Sequence, residues 1–309
     1  MEERRFWSMG TICHIVIDSA RPGLAAGAVD HLEGLERRWS RFIGDSDLVR
    51  INRAGAGTTT VAPETAELIQ RACLGWEWSG GRFDPTVLDS LVALGYDRTF
   101  ESLAGRVATR TEPGAPAPGC DSIEVDIDRC TVRLEEGQHL DLGGIAKGRA
   151  ADMTAEWLLS HGVRAGLVSV GGDLRVAGRR GDRPWQVSIL DPFDTDHALC
   201  TLALETGALA TSSTRRRRWA TTEGQAHHLI DPRTGNPAQS GLSAVSVIAG
   251  EASWAEIAAK AALLAGLEEG VSLVEGAGLA AAFVDDGGTV FATESLCRHL
   301  VSDEELILL

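Results

Sequence analysis

Lysine is rare in this chain, and its two occurrences are the first places to look for chemistry. Of 29 basic residues, 27 are Arg and only Lys147 and Lys260 are Lys. Coding bias explains the abundance of Arg. It also makes each Lys a candidate position where a compact, flexible ammonium is needed and a planar guanidinium does not fit. Lys147 lies in Asp141-Leu142-Gly143-Gly144-Ile145-Ala146-Lys147-Gly148. Two adjacent glycines let the backbone approach a ligand closely, and the helix expected after them offers free N–H groups and a positive dipole end to an anion. Lys147, one turn into that helix, suits a phosphate. Asp141 can accept from a ribose or base donor, or bind a cation. The segment is neither a Walker A loop nor G-x-G-x-x-G, and an ordinary left-handed capping turn satisfies the same pattern.

Two further segments combine turn residues with reactive side chains. His227-His228-Leu229-Ile230-Asp231-Pro232-Arg233-Thr234-Gly235 places a rigid turn after a short apolar run, and His228 can serve as a general base near neutral pH. A histidine hydrogen-bonded within a turn is the structural alternative. Gly80-Gly81-Arg82-Phe83-Asp84-Pro85-Thr86 is a glycine-rich bend whose aromatic ring and carboxylate suit a ring and a polar group, or simply a loop with a buried Phe. Arg215-Arg216-Arg217-Arg218 is a basic run in an acidic chain: a solvated loop, or a patch that steers an acidic ligand or peptide.

The elements that position these segments follow from periodicity. Residues 9–18 alternate and are β-branched, which predicts a strand; 24–42 carry apolar residues at helical spacing. Residues 47–52 read as a short helical turn. Residues 63–79, opened by Pro63 and closed by Gly80-Gly81, read as a helix, and 88–94 as a short one. Strands are expected at 122–126, 131–134, 167–170, 174–177, 185–190, 199–204, 208–211 and 244–249, with a hairpin of 280–284 and 289–293. Helices are expected at 144–161, 253–264 and 270–276. The order lacks strict βαβ alternation and predicts an α+β fold. The 309 residues are read as one domain with approximate lobes 1–110 and 120–309, separated by the proline-rich, exposed loop 111–119.

Composition narrows the function classes. The hydrophobic fraction of 44% and charged fraction of 24% belong to a globular protein with a core. A net charge of −15 disfavours a nucleic-acid partner. No run of 18 apolar residues suggests membrane insertion. MEERRFWSMG lacks the apolar stretch of a signal peptide, so the expected location is cytoplasmic. The six cysteines form no CxxC and read as buried free thiols.

Taken in order, the motifs resemble those of the ApbE-type flavin transferases, the FAD:protein FMN transferases. The matching residues are Met9-Gly10-Thr11; Trp39-Ser40-Arg41-Phe42 with Ser46-Asp47-Leu48 and Ile51-Asn52; Gly81 to Val87; Asp141 to Gly148 with Ala150-Ala151-Asp152; Val168 to Asp173; Ala210-Thr211-Ser212; and His228 to Gly235. The resemblance implies a two-lobed α+β fold with mixed sheets and a flavin cleft between the lobes. It implies that FAD is the substrate, and that with Mg²⁺ its pyrophosphate is split. FMN is then joined through its phosphate to a Thr or Ser hydroxyl of an acceptor protein, with release of AMP. It places flavin contacts on Met9, Phe42, Arg82, Phe83, Asp84, Asp141, Lys147 and Ile230, and the candidate base on His228.

In one place the chain departs from the family pattern. There a helical Ala-Asp-x-x-x-Thr supplies Asp and Thr to Mg²⁺, with a backbone carbonyl that falls on Gly144 here. The matching residues are Ala255, Glu256 and Lys260. An ammonium cannot ligate Mg²⁺. The expectation is therefore that Gly144 and Glu256 are what remains of a metal site, with Lys260, held by Glu256, standing in for the ion. Two alternatives to transfer share the same flavin site: an FAD-binding protein that has lost metal-dependent transfer, and an FAD pyrophosphatase.

Overall fold

The structure is a computed structural model and describes residues 1–19, 21–181, 183–301 and 307–308. Among these residues there are seven α-helices: α1 (Leu24–Trp39), α2 (Asp47–Ala54), α3 (Pro63–Trp78), α4 (Leu88–Ala93), α5 (Ala146–Ser160), α6 (Ala252–Ala265) and α7 (Leu267–Gly276). Two compact units are interleaved in sequence. The first comprises Met1–Glu33, Lys147–Arg215 and Ser240–Leu309, the second Gly34–Ala146 and Arg216–Gln239. The proline-rich loop 111–119 lies inside the second unit, where Ala117 N–H donates to Pro232 O at 2.7 Å.

The first unit is built on a nine-stranded sheet whose strands lie side by side in chain order. They are Glu2–Ser8, Thr11–Asp18, Ala165–Val170, Asp173–Gly178, Gly207–Ser213, Leu242–Ala249, Ala280–Asp285, Val290–Ala292 and Ile307–Leu308. All neighbours pair antiparallel except the last two strands, so the class is α+β, as the element order predicts. Leu242–Ala249 is buried at every position, so both faces of the sheet are covered there. Ile248 joins an apolar cluster with Trp185, Val187 and Leu202 of the hairpin Trp185–Leu190/Ala198–Leu204, and α6 packs on the same strand.

Two tight turns shape this sheet. Gly171 (φ 68°) and Gly172 (φ 101°) join Ala165–Val170 to Asp173–Gly178, as the spacing predicts. Met9 (φ 53°) and Gly10 (φ 65°) are likewise both left-handed and join Ser8 to Thr11 as a two-residue hairpin turn. The expected strand 9–18 therefore begins two residues late, and a preceding strand, Glu2–Ser8, was not legible. Its Glu-Glu-Arg-Arg start reads as polar because it forms the sheet's exposed edge.

The second unit gathers α2, α3 and α4 with three small sheets. The expected helical turn at 47–52 is a full helix, because Ser46 caps it by accepting the Val49 N–H at 3.1 Å. Asp47 then accepts from Ala62 N–H at 2.9 Å, from Thr65 Oγ1 at 2.7 Å and from Arg50. Burial pushes the Asp47 carboxyl up, but the Thr65, Ala62 and Arg50 donors outweigh it and hold it below the usual carboxylate range. A lowered value means the stabilisation is present above the ordinary aspartate pKa of about 3.9 and is lost as pH falls through the folded value. Urea unfolding should therefore show the wild type losing more stability between neutral pH and pH of about 3 than Asp47→Asn does. Equal acid slopes would contradict this.

Candidate functional site

The residues that the motifs single out fall on both units. In the second unit, Asn52 of α2 makes a paired amide contact with Leu140: its Nδ2 donates to Leu140 O at 2.9 Å and its Oδ1 accepts Leu140 N–H at 2.8 Å. That pins the residue just before Asp141. Asp141 N–H donates to Pro85 O at 2.7 Å, so the bend 80–86 and the glycine turn are held edge to edge. The Asp141 carboxylate accepts from Gly143 N–H at 2.9 Å and pairs with Arg41 Nε at 2.8 Å. Neither Gly143 nor Gly144 takes a left-handed φ, so the turn is not the left-handed cap that the doublet suggests, and α5 starts two residues later than expected.

Arg41 is the residue that sequence reasoning passed over. Its guanidinium stacks 4.3 Å from the Phe42 ring and 4.5 Å from the Tyr96 ring, and Nη1 donates to Tyr96 O at 2.8 Å. Its Nη2 is buried without a hydrogen-bond partner among the described residues. Phe42 itself is 40% exposed. Tyr96 is buried beneath it and packs against Trp219 at 5.3 Å between ring centroids, and both lie in one buried cluster with Ile230. Phe42, Asp141 and Ile230 are thus joined through Arg41, Tyr96 and Trp219. The signal available was Arg41's place inside the Trp-Ser-Arg-Phe motif.

Phe83 and Asp84 are placed differently: both are buried. Asp84 accepts from Thr86 N–H at 2.7 Å and Thr86 Oγ1 at 2.6 Å, while Thr86 Oγ1 accepts Gly119 N–H at 3.0 Å. Burial pushes the Asp84 carboxyl up against these donors and Trp76. This pair holds the bend together from inside. Arg82 is half-buried, and its charge, after that of Arg233, helps keep Asp231 below the usual carboxylate range in spite of burial.

The two histidines of the His227–His228 pair are not equivalent. His227 is buried; its Nδ1 accepts Leu229 N–H at 3.3 Å, so Nε2 carries the proton and donates to Ala238 O at 3.2 Å. His228 sits half-buried on the bend between Gly224–His227 and Ile230–Asp231. In the basic run, Arg215 stacks 4.3 Å from Phe193 and donates to Ser243 Oγ at 3.3 Å, while Arg216 and Arg218 are exposed. All six cysteines are free, as expected. Cys13, Cys120 and Cys200 are buried, and Cys73, Cys130 and Cys297 are half-buried.

In the first unit, Met9 occupies the hairpin turn described above. Lys147 Nζ pairs with Asp173 and with Glu256 Oε1, while Glu256 Oε2 accepts Gly148 N–H at 2.8 Å. Asp173 stands directly after the Gly171-Gly172 turn, and its other oxygen accepts Thr211 N–H at 3.2 Å. Burial pulls the Lys147 ammonium down, yet the two carboxylates more than offset it and hold it above the ordinary lysine range. Burial pushes Glu256 up against the pull of Lys147. Glu256 is thus held by Lys147, an ion pair that the sequence reading did not anticipate. Lys260, one turn beyond Glu256 on α6, bears on the same carboxylate through its charge. Gly144 belongs to the second unit and Glu256 to the first. Among the described residues no three His, Cys, Asp or Glu gather as a metal-binding group. Both Glu256 oxygens are occupied by N–H donors, one of them cationic, and a lysine stands where a hydroxyl ligand is expected. This donor set does not fit a divalent cation.

The chain belongs to the ApbE family, whose family model matches residues 9–283. It is 30% identical over 314 residues to an FAD:protein FMN transferase of Rhodobacter capsulatus, covering 97% of this chain and 58% of that protein. It is 28% identical over 338 residues to an FAD:protein FMN transferase of Treponema pallidum, covering 97% of this chain and 89% of that one. Among solved structures, the ApbE protein of Thermotoga maritima superposes with a TM-score of 0.84 at 29% identity, covering 96% of this chain and 98% of that one. The chain thus spans less than two thirds of the Rhodobacter relative and most of the Treponema one.

Proposed function

We propose that this chain is an FAD:protein FMN transferase. In that reaction a Thr or Ser hydroxyl oxygen of an acceptor protein bonds to the FMN phosphorus of FAD. The phosphoanhydride bond to AMP breaks, and the hydroxyl proton passes to a base. The observation that carries the reading is the ApbE match across residues 9–283, a span that includes Asp141, Lys147 and His228. The half-buried His228 supports the role of base: its neighbour His227 is committed to two backbone contacts and His228 is the more accessible ring. The exposed ring of Phe42, backed by the buried rings of Tyr96 and Trp219, supports a flavin or adenine face. Lys147 supports the diphosphate.

The engagement of Glu256 by Lys147 favours one second reading, an FAD-binding protein on the same scaffold without metal-dependent transfer. One experiment separates the two. The protein is incubated with FAD and a Thr-containing acceptor peptide, and products are read by intact mass. Transfer gives a peptide heavier by FMN together with AMP. Free FMN and AMP alone would indicate water as acceptor, and unchanged FAD retained by the protein would indicate binding only. By calorimetry, FAD should bind more tightly than FMN, because the AMP half and the second phosphate add contacts. Equal affinities would count against this site.

A further inference from the structure

The ion cluster in the first unit carries an inference that rests on the flavin-transferase reading and goes beyond it. Each carboxylate oxygen of Asp173 and Glu256 has an N–H donor: Lys147 on one oxygen of each, Thr211 N–H on the other Asp173 oxygen, Gly148 N–H on the other Glu256 oxygen. The two carboxylate side chains are 5% exposed and that of Lys147 is 18% exposed. Lys260 adds a second positive charge close enough to act on Glu256. Two carboxylates and two ammoniums sum to zero formal charge. A divalent cation needs oxygen donors with free lone pairs in a net negative field. Here every oxygen already accepts an N–H, one on each carboxylate from an ammonium, and the field is neutralised from within.

The same arrangement leaves the cation itself available. An ammonium has three N–H donors. Lys147 directs one to Asp173 and one to Glu256, which fixes Nζ in place and leaves one donor for a phosphate oxygen. Being tethered at both ends of its ion pairs, the ammonium is ordered before any ligand arrives, which lowers the entropy lost on binding.

We propose that Lys147, clamped by Asp173 and Glu256 and backed by Lys260, is a built-in cation for the diphosphate of FAD, and that this chain binds FAD without a divalent metal ion.

The test uses Mn²⁺ as a paramagnetic substitute for Mg²⁺, titrated into the full-length protein with and without FAD, with free Mn²⁺ read by EPR. In parallel, FAD binding is followed by flavin fluorescence in EDTA and in excess Mg²⁺. The expected result is no stoichiometric uptake of Mn²⁺ and an FAD Kd that agrees within about twofold between EDTA and Mg²⁺. Uptake of one Mn²⁺ per chain, or FAD affinity weakened by about tenfold or more in EDTA, would overturn the proposal. Failure to bind FAD under either condition overturns the flavin reading instead, while the Mn²⁺ titration still decides whether the cluster excludes a divalent ion. The double variant Lys260→Thr, Glu256→Asp should gain Mn²⁺ uptake. If its circular dichroism shows it unfolded, Lys260→Thr alone is measured. A folded variant that still takes up no Mn²⁺ would overturn the assignment of metal exclusion to these side chains.

Discussion

Replacing His228 with alanine is expected to lower FMN transfer by about 10²–10⁴-fold while leaving FAD binding nearly intact, the range typical of a positioned general base. The expectation rests on the contrast between two adjacent rings. His227 is buried and locked in one tautomer by an N–H donor at Nδ1 and a carbonyl acceptor at Nε2. To accept a proton at Nδ1 it would have to release Leu229 N–H in the interior, a loss of about 1–3 kcal/mol for an unsatisfied buried group. His228 is half-buried on a bend that Ile230–Asp231 and Asn236–Pro237 hold from one side. His227→Ala is therefore the matched control: it should reduce stability more than it reduces transfer per folded molecule. Rates come from the mass of the acceptor peptide over time, and FAD affinity from flavin fluorescence. Transfer unchanged in His228→Ala, or a fall that merely tracks lost FAD binding, would return His228 to a structural role.

What was legible in the sequence was what local chemistry controls. The α3 boundaries follow from Pro63 and Gly80-Gly81, and the Gly171-Gly172 turn from residues that tolerate left-handed φ. The rarity of lysine singles out Lys147 and Lys260 from the sequence alone. What was not legible depends on distant pairing. Lys147 and Asp173 are 26 residues apart and Lys147 and Glu256 are 109 apart, and no spacing rule joins them. The same holds for Arg41: its contact with Asp141 exists because Asn52 clamps Leu140 and so delivers Asp141 to that place. The interleaving of the two units is likewise invisible to a reading that looks for a linker, since each unit is assembled from separate stretches of chain.

Asp152→Ala is expected to be among the most destabilising single changes in the first unit. Glu251, at the N-cap of α6, makes no side-chain cap, so the first turn of that helix depends on another element for its acceptors. Asp152 of α5 supplies them. One oxygen accepts Ala252 N–H at 2.7 Å, and the other accepts Ser253 N–H and Ser253 Oγ, each at 2.9 Å. Arg175 Nε lies 3.6 Å from the same carboxylate, which is fully buried. Close packing leaves no room for a substitute: a Cβ added at Gly148, one turn earlier on α5, would lie 2.6 Å from Ala252 C and 2.7 Å from Ser253 N. Alanine at position 152 would strand two backbone N–H groups and leave the partly buried Arg175 guanidinium with Gly250 O but without its carboxylate. At about 1–3 kcal/mol per unsatisfied buried group, and more where a charge loses its partner, the expected loss is about 3–5 kcal/mol. Urea unfolding at neutral pH measures it as a lower midpoint at an unchanged slope. Asp152→Asn keeps one acceptor oxygen but turns an NH₂ toward the other donors, so it should recover only part of the loss. Because α6 carries Glu256 and Lys260, the same variants should also loosen the ion cluster, weakening FAD binding even below the unfolding transition. A loss smaller than about 1 kcal/mol, the scale of an ordinary exposed cap, would show that α6 does not depend on Asp152 for its first turn.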